Sequence, residues 1–446
     1  MHQEVAREVQ TVLQVVFAAQ RKMAGLDLEA VEMATRAGLH RAGAAILSAL
    51  LSQPGGHSPR TECACGSQAR YHDQRPKRLL TALGPVQLER AYYVCPDCQQ
   101  GHSPRDRELD VEGTECSPGV RRMMALVGAE TSFEKGREQL GLLAGIEVTT
   151  KAVERHTEAI GADIATSEQQ EIRRAKQLEL PEVLTPPAPV FYIEMDGTGV
   201  PVVQAETEGR PGKIEGQPAH TREVKLGCVF TQTTTDPEGR PVRDEDSTTY
   251  SAAIETAEEF GLRLYTEAWR RGWSRAKKKV ILGDGAVWIW NLADQHFPGA
   301  IQIVDLFHAR QHLWELSAKL FLNDERGRKR WMARALDRLN RGKIESLVKI
   351  LRELHPAQTE VRKTVANEAE YFARNAERMR YPTFRAQGLF VGSGVVEAGC
   401  KTVIASRLKR SGMFWTVRGA NAIIALRCSY LNHRFEDYWA SRSRVA

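Results

Sequence analysis

Three aspartates in this chain end apolar runs in a way that invites chemistry. Val190-Phe191-Tyr192-Ile193 leads through Glu194 and Met195 to Asp196, followed by Gly197-Thr198-Gly199. Val280-Ile281-Leu282 leads through Gly283 to Asp284, and Ile301, Ile303 and Val304 lead to Asp305. A buried strand that stops on a carboxylate is costly unless the charge finds a partner. In mixed and parallel sheets the carboxyl ends of strands are where sites collect. Adjacent strands lie about 4.8 Å apart, so two such carboxylates can share one ion. Left alone they repel, and one of them protonates. Oxygen donors of this kind favour magnesium or manganese. A fourth acid, Glu397, stands far downstream in Gly392-Ser393-Gly394-Val395-Val396-Glu397. Ser393 or Gly394 starts a helix there and Glu397 falls in its first turn, where an acid ordinarily serves the helix dipole. Gly392, Gly394 and Gly399 allow close approach of backbone or ligand.

Sulfur carries a second chemistry. Cys63-x-Cys65 is followed, after 29 intervening residues, by Cys95-x-x-Cys98. Two thiolate pairs at strand ends predict a tetrahedral structural zinc site, the metal standing in for a core in a small module. The bland alternative is four unrelated buried thiols, and His72 or His102 is a possible replacement ligand. Cys116, Cys228, Cys400 and Cys428 are expected to lie outside this site.

The elements that must position these residues follow from periodicity. Residues 1–60 read as helical, with VQTVLQVVFAAQRKMAGL and VEMATRAGLHRAGAAILSALL apolar at three- and four-residue spacing. Gln53-Pro54-Gly55-Gly56 breaks that pattern. The cysteine module occupies 61–112, with VQLERAYYVC as a strand. From 113 to 178 three helical stretches return, the last capped by Thr149 or Thr150. The last two suggest a helix-turn-helix whose third stretch, from Thr149 to about Ile164, reads DNA. A Pro-rich linker then leads to strands and βαβ units over 189–312, which predict a mixed sheet, antiparallel first and parallel later. Residues 313–388 read as helix throughout, and 389–446 holds Glu397 and a basic tail.

Composition sets the outer limits. The chain has 446 residues, 42% hydrophobic and 26% charged, enough for several domains and unlike a disordered chain. No membrane span is expected, since no apolar stretch is long enough, and no export signal is expected in an N-terminus that carries acids and has no apolar signal core. Eight cysteines in so long a chain fit reduced thiols or metal ligands in a cytoplasm. The net charge of +6 hides a split: from Lys319 onward there are 26 Lys and Arg against 12 Asp and Glu, and before it 36 against 44. That asymmetry points to a polyanion partner. Lys401, Arg407, Lys409 and Arg410 after the Glu397 helix are candidate phosphate contacts. Trp288, Trp290, Trp314 and Trp415 are candidate stacking platforms, although such residues are usually core.

Asp196, Asp284 and Glu397, in that order and setting, resemble the D-D-E triad of a ribonuclease-H-like transposase. "MDGTGVP", "LGDGAVWIWN", "DLFHARQHLWEL" and "GSGVVEAGCK" resemble the ISKra family of insertion-sequence transposases, in the bacterial Mutator-like group, over nearly the whole chain. The resemblance implies a ribonuclease-H-like α/β core with an all-α insertion between Asp284 and Glu397, preceded by helical and zinc-ribbon-like DNA-binding modules. It implies two magnesium or manganese ions on the triad, and metal-dependent cleavage and strand transfer at element ends and target DNA. Asp305-Leu306-Phe307-His308 matches that group's Asp/Cys-x-x-His motif, so His308 is expected near the scissile phosphate, with Asp305 supporting it. His308 bonded to Asp305 for purely structural reasons, and zinc on Asp305, His308 and His312, are the competing readings. Pairing of two element ends implies at least a dimer on DNA, in a prokaryotic, nucleoid-associated cytoplasmic setting. The alternatives are a zinc and helix-turn-helix regulator with a non-catalytic core, and a ribonuclease-H-like nuclease without transposition.

Overall fold

The computed structural model describes residues 27–52, 57–180, 182–183, 186–212 and 217–442, together with 6–7, 10–11 and 14. Most of the expected helix around residues 9–26, the break at 53–56 and part of the linker near 181–185 lie outside the described residues. The chain divides into two compact units, one formed by 1–160 with 436–446 and the other by 161–435.

In the first unit, helix Leu28–Leu51 begins at Asp27, whose side chain accepts from the Ala30 N–H. It is followed by a four-stranded antiparallel sheet in the order β1 (Arg60–Glu62), β2 (Gln68–Thr81), β3 (Gly84–Val94), β4 (Gly101–His102). β2 is the longest strand of the unit and has no counterpart in the sequence reading. Its text, QARYHDQRPKRLLT, is polar and carries Pro76. It holds because residues along it alternate between shielded and exposed positions while β3 supplies the ladder. Helices Pro118–Glu130 and Phe133–Gln139 follow, the second running into a π turn at Leu140–Ala144 that Gly145 closes at φ 65°. Thr149 caps the next helix, Thr150–Lys176, its Oγ accepting from the Ala152 N–H at 3.1 Å.

The second unit is built on a five-stranded mixed sheet in the order β11 (Ile301–Val304), β10 (Lys278–Gly283), β5 (Val190–Pro201), β6 (Thr221–Gln232), β9 (Thr249–Ala253). β5, β10 and β11 are parallel, and β6 runs antiparallel to both of its neighbours, β5 and β9; β7 (Thr234–Thr235) and β8 (Pro241–Val242) form a separate two-stranded ladder. The mixed character expected from the sequence is therefore present. Helices cover both faces. Gly227 of β6 faces helix Ala257–Arg270, where a Cβ would meet Leu264 at 2.7 Å. On the opposite face Gly399 lets its helix lie against Tyr250, since a Cβ there would meet that ring at 2.8 Å. The outer edge of β9 is closed by helix Val417–Leu431 and its cap. Asn421 bonds both backbone groups of Ile254, and Asn432 both of Tyr250, removing an exposed edge.

Between β11 and the Glu397 segment the chain is helical: Leu306–Leu320, Glu325–Asn340, Ile344–Arg352 and Thr359–Arg374. None of the helices among the described residues is long and apolar enough to cross a membrane.

Candidate functional site

Asp196 does not end its strand. β5 runs five residues further, to Pro201, and its antiparallel pairing with β6 is unbroken across Asp196↔Leu226. What stops is the parallel partner: β10 ends at Gly283, opposite Met195. Asp196 thus occupies the step where one neighbour has finished and the other continues. The step leaves it half-buried on a strand whose preceding residues are buried. Asp284 is the next residue after β10 and Asp305 the next after β11.

The residues of β5 on the face of Asp196 are each met in turn by the segment from Phe390 to Lys409. The Phe390 N–H donates to Tyr192 Oη at 3.3 Å, and the Val396 N–H to Glu194 Oε2 at 2.8 Å. Cys400 Sγ lies 3.4 Å from Asp196 Oδ2, and Lys409 Nζ donates to Thr198 Oγ1. This segment is helix Gly394–Gly399, a π turn over Cys400–Ala405 and a further short turn. The widened turn frees carbonyls, and the buried Arg427 guanidinium takes two of them, Val403 O at 2.8 Å and Thr402 O at 2.6 Å. Glu397 sits exposed in the first turn, beside a cleft of about 920 Å³ lined by Phe307, Arg385, Phe390 and Gly394 among others.

Burial pushes the Asp196 carboxyl above its ordinary value. The Gly197 N–H and the Cys400 thiol act against that, the Asp284 carboxylate adds to it, and His308 pulls it back. Three sequence-distant groups therefore act on Asp196 at once. Glu194, two residues earlier and fully buried, is pushed up to about 8 by desolvation, against the Val396 N–H, with Asp305 and Glu397 raising it further. Its Oε1 has no hydrogen-bond partner. Asp284, Asp196 and Glu397 do not converge as tightly as the cysteines below; among the described residues they form no cluster with ligand atoms within 4.8 Å of one another.

Asp305 serves differently from the other acids. It is fully buried. Its Oδ1 accepts from the backbone N–H of Phe307 and of His308, capping helix Leu306–Leu320, and its Oδ2 accepts from the N–H and hydroxyl of Ser393. It holds the His308 amide and leaves the ring alone. The ring instead stands edge-on to His312, 4.9 Å between centroids, and His312 bonds Glu368. Asp305, His308 and His312 do not form a metal cluster.

The basic residues divide. Lys401 and Lys409 are exposed and Arg410, partly exposed, donates to Ser406 O. Arg407 corrects the expectation of a phosphate contact: it is fully buried, its guanidinium 5.0 Å over the Trp415 ring with Nη1 3.5 Å from Met413 Sδ. An arginine can pack its planar group on an aromatic face as readily as reach out. Trp415 and Trp290 are buried, and Trp288 is half-buried against Phe260, so these are packing residues. Trp314 is 46% exposed.

In the first unit Cys63, Cys65, Cys95 and Cys98 converge, with all four sulfurs within 4.8 Å of one another. Cys63 lies 3.6 Å from Cys98, and Cys65 3.6 Å from Cys95. Tetrahedral ligands at a zinc–sulfur distance of about 2.3 Å stand about 3.8 Å apart, so the group could hold a metal such as zinc. His72 is paired with Asp73, and neither it nor His102 belongs to the cluster. Backbone hydrogen bonding from Ser67, with the neighbouring thiols, draws Cys65 down to about 6.

Comparison with known proteins gives similarity without an activity. Residues 243–437 match UPF0236, described as an uncharacterised protein family. The chain is 22% identical over 382 residues to a Streptococcus gallolyticus protein named "UPF0236 protein in vanSb 3'region", covering 82% of this chain and 75% of that one. The Drosophila P element transposase strand transfer complex aligns with 71% of this chain and 79% of its own, at 8% identity and a TM-score of 0.24. A likeness that weak carries no argument.

Proposed function

We propose that the chain is a DNA transposase of an insertion sequence, a metal-dependent strand-cleaving and strand-transferring enzyme with a ribonuclease-H-like core. Asp196, Asp284 and Glu397 are its metal ligands. The observation that carries the reading is the stepwise seating of residues 390–409 on one face of β5, which brings the Glu397 helix to Asp196 through Cys400. The strand order and directions, with β6 alone running against β5 while β9, β10 and β11 run the same way as β5, suit that core.

The donor set is all oxygen, on a carboxylate group that burial and like charge leave poorly satisfied on its own, which fits magnesium or manganese. Two such ions would activate the attacking hydroxyl and neutralise the leaving oxygen of a phosphodiester. Asp196 would hold both, with Asp284 and Glu397 each completing one side. His308 lies close enough to act on Asp196 electrostatically and would orient the scissile phosphate. Lys401, Lys409 and Arg410 would grip the DNA backbone. The cysteine module, zinc-loaded, and the helices over 118–176 would recognise element ends, and the enzyme would act on paired ends as a dimer or larger assembly.

The test is strand nicking and joining on duplexes covering the DNA that flanks the reading frame, with magnesium or manganese. Nicking abolished by Asp196→Asn, Asp284→Asn or Glu397→Gln, with duplex binding retained, supports the reading. Nicking that survives any one substitution removes that residue from the triad, and Glu194 is the next to test. Nicking without joining of ends points to a plain nuclease.

A further inference from the structure

Helix Thr359–Arg374, deep in the helical insertion, reaches the candidate site by three contacts. Tyr371 Oη donates to the backbone carbonyl of Asp284 at 2.9 Å. The Tyr371 ring stacks on His312, centroids 4.0 Å apart at 14°. One turn earlier on the same helix, Glu368 Oε2 lies 2.8 Å from His312 Nδ1. A carboxylate only accepts, so His312 Nδ1 carries a proton in that bond. The His312 ring, fixed on one side by Tyr371 and at its edge by Glu368, presents itself edge-on to His308 at 77°.

The turn after β10 is shaped for this arrangement. Gly285, immediately after Asp284, has φ 96°, and a Cβ there would meet the Tyr371 ring at 2.7 Å. Glycine is thus required twice, for the left-handed backbone and for the close approach of the ring. The Asp284 side chain meanwhile accepts from the Ala286 N–H at 2.8 Å, so the turn is held from within and from the insertion. A side chain that must meet a substrate in one geometry gains from neighbours that lock its rotamer.

We infer that Glu368 and Tyr371 are positioning residues of the reaction: through His312 they set the ring of His308, and through the Asp284 carbonyl Tyr371 sets the turn that carries a metal ligand. The insertion is thereby part of the catalytic geometry, besides any role in holding DNA. This rests on the DNA-transfer reading above for its activity readout, and on the contacts alone for its structural one.

The full-length protein serves for the experiment, with three variants. Tyr371→Phe keeps the stacked ring and removes the hydroxyl. Glu368→Gln keeps the shape and removes the charge. Tyr371→Leu removes both ring and hydroxyl. Steady-state nicking with manganese on the flanking duplexes, melting temperature and the His308 ring resonances (assigned by their loss in His308→Gln) are measured together. The expected result is a fall in kcat on the order of tenfold for Tyr371→Phe and Glu368→Gln, with KM and melting temperature unchanged, because a displaced catalytic group costs turnover before it costs binding. Tyr371→Leu should fall further, with Phe as the partial rescue. The His308 resonances should move in Glu368→Gln. Wild-type turnover in both conservative variants overturns the inference. So does a parallel loss of melting temperature and duplex affinity, which would reduce the contacts to packing. If the wild-type protein cuts no duplex, the DNA-transfer reading fails separately. The inference is then decided by the His308 resonances, which must move in Glu368→Gln if it stands and remain in place if it does not.

Discussion

Asp305 and Ser393 are joined by two hydrogen bonds, both to Asp305 Oδ2, one from the Ser393 amide at 2.6 Å and one from its hydroxyl. The other carboxylate oxygen caps the helix that carries His308. One buried side chain thereby ties the end of β11 and the His308 helix to the start of the Glu397 helix, 88 residues away in sequence. Its charge is spent on four donors, and none of it is left for a metal. Asp305→Ala should cost about 3 kcal/mol, since four donors, the two of Ser393 buried and the amides of Phe307 and His308 partly so, lose their acceptor. Ser393→Ala should cost about 1 kcal/mol. Urea unfolding with and without manganese measures both. The loss should be the same in the two conditions, which distinguishes a clamp from a ligand.

The proposed triad should behave in the opposite sense. Burial raises the Asp196 carboxyl, so in the absence of metal its ionised form costs stability above the unfolded-state value near 3.9. That cost is relieved as pH falls through the raised value. Asn has no charge to bury, and Asp196→Asn should melt at or above the wild-type temperature at pH 7 without metal. Manganese should raise the wild-type melting temperature and leave Asp196→Asn, Asp284→Asn and Glu397→Gln unmoved, because a ligand stabilises only the state that binds it. A variant that keeps the full manganese shift is not a ligand.

What could be read from the sequence was the chemistry with a local signature. Apolar runs ending in Asp284 and Asp305, the glycine-flanked Glu397 and the paired cysteines are visible as text, because strand burial and helix starts leave marks within a few residues. Asp196 was visible as a residue but misread as a strand end, since nothing in Val190–Pro201 says that β10 stops at Gly283. β2 was missed because its stability comes from β3, and Pro76 with its charged neighbours reads locally as loop. Arg407 and Lys409 are two letters apart and look alike. Only the packing of Trp415 decides that one is buried and the other exposed. The Asp305–Ser393 clamp and the reach of Tyr371 to Asp284 depend on pairs far apart in sequence, for which a single chain carries no signal.

The cysteine cluster predicts an order of reactivity. Cys65 is the exposed member, and hydrogen bonding from Ser67 and the neighbouring thiols draws it down to about 6. In metal-free protein at pH 7 it is a thiolate, and it should be alkylated by iodoacetamide before Cys63 and Cys95, which are buried. Zinc should protect it, since the thiolate lone pair is then engaged. Peptide mass mapping after short alkylation, with and without a chelator, reads this directly. Equal labelling of Cys65 in both conditions would mean that the four sulfurs hold no metal. Cys95→Ser should lose the zinc and loosen the strands between Arg60 and His102, seen as faster amide exchange there.

His156 gives the pH dependence of the first unit. It is buried on the inner face of helix Thr150–Lys176, and its Nε2 has no hydrogen-bond partner. Desolvation, with the positive charges of Arg155 and Arg121, lowers it to about 4. The folded state therefore holds the ring neutral, whereas the unfolded chain takes up a proton near 6.5. Between those values the unfolded state binds more protons, so stability falls as pH drops from about 6.5 and stops falling on this account below about 4. Amide exchange of the packed helix Pro118–Glu130 should accordingly quicken between pH 7 and pH 5, after correction for the intrinsic rate. His156→Gln removes the titrating group and should flatten that dependence, even though the substitution lowers stability at pH 7. A wild-type His156 ring signal that titrates near 6.5 in the folded protein would show that water reaches the ring, and the predicted pH dependence would then be absent.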